Sequence, residues 1–249
     1  MLLALAASLG VALCIHGPIA QWASYHHFAD RRAWLAIPNA ADVLSNLPFA
    51  LIGAWWLWAM RELPRTPATP AWRAFALALI ATAAGSAFYH WAPDNASLAL
   101  DRLPIAWACA ALTCAFLAER VDERWSRHGA LTLALVLASA SVGLWWWSET
   151  VGRSDLRPYL FVQFLPMLLV PAALLLRLPR RFAAAAPDRA WWGVLAGYAL
   201  AKGLEVADHA VFEHLTWLSG HTLKHLVAAG AALWLLHGAW RAARADQLR

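Results

Sequence analysis

Apolar and polar positions along this chain fall in long blocks, not in residue-by-residue alternation. Apolar runs cover Leu2–Ile19, Val43–Met60, Trp72–Trp91, Leu100–Leu117, Ala130–Trp147, Tyr159–Leu176, Trp191–Phe212 and His221–Trp240. Each is close to the ~20 residues that carry an α-helix across ~30 Å of hydrocarbon. In lipid every backbone N–H and C=O needs an internal partner, and a helical bundle meets that need with connections this short. The pattern predicts an all-α, polytopic membrane protein with a single integral membrane domain over residues 1–249. Its core is expected to be seven helices over 42–240, preceded by an additional transmembrane helix over 1–20. The first run lacks the basic start and small-residue cleavage site of a signal peptide, so a retained helix is expected there. No sequence repeat relates the two halves, which argues against an inverted-repeat transporter.

Composition agrees with that pattern. Hydrophobic residues make up 61% of the chain and charged residues 14%, against roughly 45–50% and 25% in soluble domains. The net charge of +5 invites a nucleic-acid reading. The arginines, however, sit in short connections between apolar runs, where the positive-inside rule places them without any polyanion. Arg61, Arg65 and Arg73 lie in one connection, Arg120, Arg124 and Arg127 in another, and Arg177, Arg180, Arg181 and Arg189 in a third. Arg241, Arg244 and Arg249 follow the last run. The intervening connections hold fewer. The arginine-rich side, C-terminus included, is therefore expected to be cytoplasmic. Cys14, Cys109 and Cys114 all lie in apolar runs with no CxxC spacing, and read as small buried hydrophobes.

Topology then draws attention to a few polar residues. His90 ends the third run, Asp101 starts the fourth, and His221 and His225 start the last. All four are expected at one depth near the outer face. His221 and His225 are four residues apart, the helical spacing at which two imidazoles can hold one metal. His90 supplies a third nitrogen. A catalytic zinc takes three protein ligands and keeps a fourth position open, and imidazole without thiolate favours zinc over softer sites. Asp101 suits a general acid/base or a ligand-orienting group, or else a pair with Arg102. Ser86, one helical turn below His90, can hydrogen-bond at the metal or back to the Thr82 carbonyl. Lys202, Glu205 and Asp208 recur at helical spacing and read either as a shell around the site or as a charge-paired packing network. The connection between the first two runs holds Asp30, Asn39, Asp42 and Asn46, oxygen donors of the kind Ca²⁺ prefers. Their spacing fits no EF-hand, and helix capping by Asp42 and a Pro38–Asn39 turn explain much of it.

The combination is specific. Ser86-x-x-x-His90, Asp101 eleven residues on, and His221-x-x-x-His225 in the last run resemble the alkaline ceramidase family. That family belongs to a wider group of seven-transmembrane hydrolases that includes adiponectin-receptor-like proteins. GSAFYH, DRLP and VLSNLPF match in context. IPNAADVLSN and DLRPYLFVQFLPMLL look like the bacterial branch. The resemblance spans roughly Ser24 to Leu236. It implies an intramembrane zinc amidase that cleaves ceramide, or a related N-acyl lipid drawn from the bilayer, to a fatty acid and a sphingoid base. His90, His221 and His225 would hold zinc, Asp101 would shuttle the proton, and Ser86 would assist. Eukaryotic members also bind calcium through an acidic, tryptophan-containing motif. Here that region reads YHHFADRRAW, with Asn39 where those members carry a glutamate, which leaves Asp30, Asn39 and Asp42 as the loose calcium candidates. Two alternatives stay open: a non-enzymatic, receptor-like or lipid-binding protein with a structural zinc, and a metal or proton transporter using the Lys202–Glu205–Asp208 face.

Overall fold

The computed structural model describes residues 1–248, so Arg249 lies outside the described residues. Ten α-helices follow in order: α1 Leu2–His16, α2 Ala40–Leu44, α3 Leu47–Ala59, α4 Thr69–Trp91, α5 Asn95–Arg120, α6 His128–Thr150, α7 Arg157–Leu175, α8 Asp188–Val206, α9 Asp208–Leu215 and α10 Gly220–Gln247. Six helical stretches are long and apolar enough to cross a membrane: Ala40–Ala59 as one unit, then α4, α5, α6, α7 and α10. The seventh core helix, α8, is 19 residues long and carries Lys202 and Glu205 in its C-terminal half. The all-α polytopic bundle expected from the apolar blocks is what the chain forms.

Several runs differ from the helices they become. The Val43–Met60 run is broken at Ser45–Asn46, where α2 gives way to α3 with Pro48 in its first turn. The Trp191–Phe212 run breaks at Ala207, so Asp208 opens a new helix instead of continuing α8. Helix α5 starts five residues before the Leu100–Leu117 apolar run. Asp94 forms a capping box there, its side chain accepting from Ser97 N at 2.6 Å while Ser97 Oγ accepts from Asp94 N. Asp101 therefore lies nearly two turns inside α5, not at its start. Helix α1 has 15 residues, fewer than the expected run, and rests against α7.

Helices α3, α4, α5, α7, α8 and α10 surround a central cavity, and α6 packs outside α5 and α7. At the arginine-rich end the core is aromatic, with Trp56, Trp72, Phe116 and Trp191 in mutual contact. There the buried Glu119 accepts from Trp72 Nε1 at 3.0 Å and Ala186 N at 3.1 Å. Arg120 donates to the Leu178 and Ala186 carbonyls. Together these two side chains fasten the α7–α8 connection to the end of α5.

At the opposite end, residues 17–39 form a strap over the bundle. His26 bonds Tyr89 Oη and Asn95 Oδ1, each at 2.9 Å. Gln21 N donates to Ser154 Oγ at 2.8 Å. Ala29 N donates to Asp208 Oδ2 at 2.9 Å. Arg32 reaches the Thr216 and Trp217 carbonyls. This loop is long and much of it is exposed, yet it is tied to helix ends on several sides, with Phe28 and Asp30 buried.

Candidate metal centre

Three imidazoles meet beneath that strap. His90 comes from the last turn of α4, and His221 and His225 from the first turns of α10. One ring nitrogen from each lies within 4.8 Å of the others, and all three residues are buried. The Nε2 atoms of His90 and His221 are 3.2 Å apart. Two nitrogens bonded tetrahedrally to one zinc at ~2.0–2.1 Å stand about 3.3–3.4 Å apart, so this edge already has the right length.

Hydrogen bonding fixes which nitrogens point inward. Ser45 Oγ lies 3.0 Å from the Asp42 carbonyl and 2.8 Å from His225 Nδ1. A hydroxyl has one hydrogen. Donated to the carbonyl, it leaves Ser45 to accept from His225 Nδ1–H, so His225 turns a lone pair on Nε2 toward the cluster. Lys224 Nζ stands 2.8 Å from His221 Nε2. An ammonium only donates, so His221 Nε2 also carries a lone pair. Both α10 histidines thus have the tautomer that a metal ligand needs. The donor set fits a divalent cation such as zinc.

The ligand pair on α10 is held by the neighbouring helix. Asp208 Oδ1 accepts from His221 N at 2.7 Å, filling an N-terminal donor that the helix cannot satisfy itself. Through Oδ2 the same carboxylate binds the strap. Gly220 makes this approach possible: a Cβ there would overlap the Leu204 carbonyl oxygen and come within 2.7 Å of Asp208 Cα. Phe28 of the strap covers the cluster, its ring centroid 4.6 Å from that of His90 and 4.8 Å from that of His221.

Below the imidazoles a cavity of about 190 Å³ runs into the bundle. Its polar end is lined by Ser86, Asp101, Glu205, Lys224 and His225, and its far end by residues such as Phe75, Leu79, Leu112 and Ala231. Ser86 and Leu79 are seven residues apart on α4, about 10 Å at 1.5 Å per residue. Ser86 and Asp101 share this cavity because α4 and α5 touch closely. Pro104 has no N–H to donate to the Leu100 carbonyl one turn earlier, and Gly85 lets α4 come against that freed oxygen, where a Cβ would collide with it.

Most of the expected site residues meet here, with corrections. Asp101 does not pair with Arg102. Its Oδ1 is buried without a partner among the described residues, and it is not one of the three metal-facing groups. Arg102 turns away into an aromatic box, its guanidinium 4.2 Å from the Trp145 ring centroid and 5.1 Å from that of Tyr159, with Gln21 Oε1 accepting at 2.6 Å. Ser86 makes no bond back to Thr82 among the described residues. It is Thr82 that bonds back, to the Ala78 carbonyl.

Lys202 and Glu205 form an ion pair, joined by Lys224 at 3.1 Å from Glu205. Asp208 is not part of that pair. The helix break at Ala207 turns it toward the strap and α10. The network thus joins α8 to α10, lines the cavity and touches the cluster through Lys224. The calcium candidates each make other contacts, while Asp42 Oδ2 is buried without a partner among the described residues. Asp30 binds Arg32 with both oxygens, and this guanidinium holds its carboxyl below the usual range. Asn39 Nδ2 donates to the His90 carbonyl, and Asp42 Oδ1 accepts from Thr222 Oγ1 at 2.6 Å.

Ser45, Phe28 and Lys224 complete the site without having stood out in the sequence. Lys224 had a signal, a lysine inside the His-x-x-x-His pair of an apolar helix. Ser45 and Phe28 had none short of the fold itself. No known protein family matches the chain, and no curated protein matches it.

Proposed function

We propose that this protein is an intramembrane, metal-dependent amidohydrolase, with zinc at His90, His221 and His225. Its substrate would be ceramide or a related N-acyl lipid, released as fatty acid and sphingoid base or amine. The observation that carries this reading is the cavity that runs from His225 of the three-histidine cluster, past Ser86 and the buried Asp101 whose Oδ1 has no partner among the described residues, to an apolar end. A zinc ion bound there supplies Lewis-acid polarisation and a water of lowered pKa.

The chain's own residues do the rest. The apolar end holds an acyl chain, so that the amide stops at the imidazoles. Asp101 Oδ1 takes the proton from the attacking water and returns it to the leaving nitrogen. The Ser86 hydroxyl donates to the developing oxyanion. Phe28 and the strap keep bulk water off the reacting atoms. Three histidines would hold the zinc with Asp101 outside the set, a donor count that would suit a catalytic better than a structural or receptor-type site. The arginine distribution supports a centre near the outer face of a bacterial-type inner membrane, with the C-terminus in the cytoplasm. In this reading the resemblance to alkaline ceramidases extends to activity.

The test is metal analysis of purified protein together with mass-spectrometric detection of fatty acid release from a panel of N-acyl lipids. About one zinc per chain is expected. His221→Ala loses both metal and turnover, whereas Asp101→Asn keeps the metal and loses turnover. Stoichiometric zinc with no hydrolysis of any N-acyl or ester lipid would overturn the reading.

A further inference from the structure

Lys224 occupies an unusual place. It lies between the two ligands of α10, and its ammonium is within hydrogen-bond distance of two groups at once. One is the Nε2 of His221, at 2.8 Å. The other is Glu205 Oε1, at 3.1 Å. Glu205 also holds Lys202 through its second oxygen and accepts from the Tyr25 hydroxyl at 3.2 Å. One carboxylate thus serves two ammonium groups. The lone pair that Lys224 bonds is the one through which His221 faces the other imidazoles, so metal and ammonium contend for a single electron pair.

Two like charges this close repel strongly where water is scarce. A cation entering among the histidines takes the Nε2 lone pair and displaces the ammonium. The lysine stem does not need to leave, because Glu205 is already within reach.

We propose that Lys224 is a resident ammonium of the metal pocket. It competes with a divalent cation for His221 Nε2, and Glu205 is the seat that keeps it once the metal is bound. The pair sets how tightly the centre holds its metal. Lys224 is a positioning residue in this role, and the proposal rests on the metal centre but not on the hydrolytic activity.

The experiment is zinc affinity of the full-length protein at fixed pH, by competition with a chromogenic chelator. It compares wild type, Lys224→Met, Lys224→Gln, Glu205→Gln and the Lys224→Met/Glu205→Gln double variant. Thermal unfolding in the same detergent reports on fold. Removing the ammonium in either single variant tightens zinc about 10- to 100-fold, the range of groups that contact metal ligands. Glu205→Gln weakens zinc by a comparable factor, because the displaced ammonium loses its counter-charge. In the Lys224→Met background Glu205→Gln changes zinc affinity less than about threefold, since the two act through each other. If folded Lys224→Met and Lys224→Gln bind zinc as wild type does, or if Glu205→Gln weakens zinc equally in both backgrounds, the proposal fails. Wild type that binds no more zinc than His221→Ala overturns the metal centre itself, a result separable from failure of the lysine's part.

Discussion

Asp208 is the residue whose loss should be felt most widely. It stands at the start of α9 and holds two backbone donors with one carboxylate, His221 N at 2.7 Å and Ala29 N at 2.9 Å. One bond positions a metal-facing helix, and the other fastens the strap that covers it. Hydrogen bonds to a charged group contribute about 1.5–3 kcal/mol each. Asp208→Ala removes both and is expected to cost about 3–6 kcal/mol. Asp208→Asn keeps one acceptor and turns an NH₂ donor toward the other N–H, for a loss of about half that amount. At ~2–4 °C per kcal/mol for a chain of this size, the alanine variant should melt roughly 6–24 °C lower, with asparagine between it and wild type. Tryptophan fluorescence in detergent reads the melting. Limited proteolysis followed by mass spectrometry reads the strap, where residues 17–39 should become cleavable in Asp208→Ala under conditions that spare wild type. An alanine variant that melts with wild type and keeps its strap protected would refute this account of Asp208.

Other consequences are equally direct. Ser45→Ala removes the acceptor for His225 Nδ1–H, and zinc affinity by chelator competition should fall about 10- to 100-fold with only ~1 kcal/mol lost in stability; unchanged affinity would contradict the assigned tautomer. Gly220→Ala drives a methyl group into the Leu204 carbonyl and the Asp208 backbone, so melting should drop by an amount equivalent to ~1–3 kcal/mol together with weaker zinc binding; a variant as stable as wild type would mean that the α8–α10 contact yields easily. Asp30, Asp94 and Asp155 each have a carboxyl held below its ordinary value, through side-chain bonds from Arg32, the Ser97 backbone N–H and side-chain bonds from Arg157 respectively. A depressed folded value means stability that is present above the unfolded value of ~3.9 and lost as pH falls through the folded one. Hydrogen exchange at residues 17–39, 92–95 and 151–157 should therefore rise below about pH 4, and flat protection down to strong acid would count against these contacts.

What the sequence made legible follows from what periodicity and charge can report. Long apolar blocks set the helices and arginine counts set the ends, so His90, His221 and His225 could be assigned one depth before any coordinates. Helix breaks were harder. The polar pair Ser45–Asn46 breaks its run whereas the polar pair Asp101–Arg102 lies inside unbroken α5, so a short polar interruption does not by itself mark a bend. Asp101 was misjudged by nearly two turns, since a capping box of polar residues begins α5 well before its apolar stretch. The roles of Glu205 and Asp208 could not be separated by spacing alone, because a single residue at the Ala207 break turns them in different directions. Phe28 and Ser45 meet the histidine cluster through residues more than 60 positions away, and no local pattern records such a pairing.

The strap also bears on the order in which this chain takes shape during synthesis. Ala29 waits for a partner 179 residues downstream, and Arg32 for carbonyls 184 and 185 residues on. At ~5–20 residues per second the ribosome needs roughly 10–40 s to supply them. Through that interval the segment after α1 has only its ties to the middle helices, and two of the three imidazoles do not yet exist. The last ties of the strap therefore await α9 and the residues just after it, and His221 and His225 follow at once on α10, so a chain stalled before residue 208 lacks both the far anchors of the strap and two of the three imidazoles.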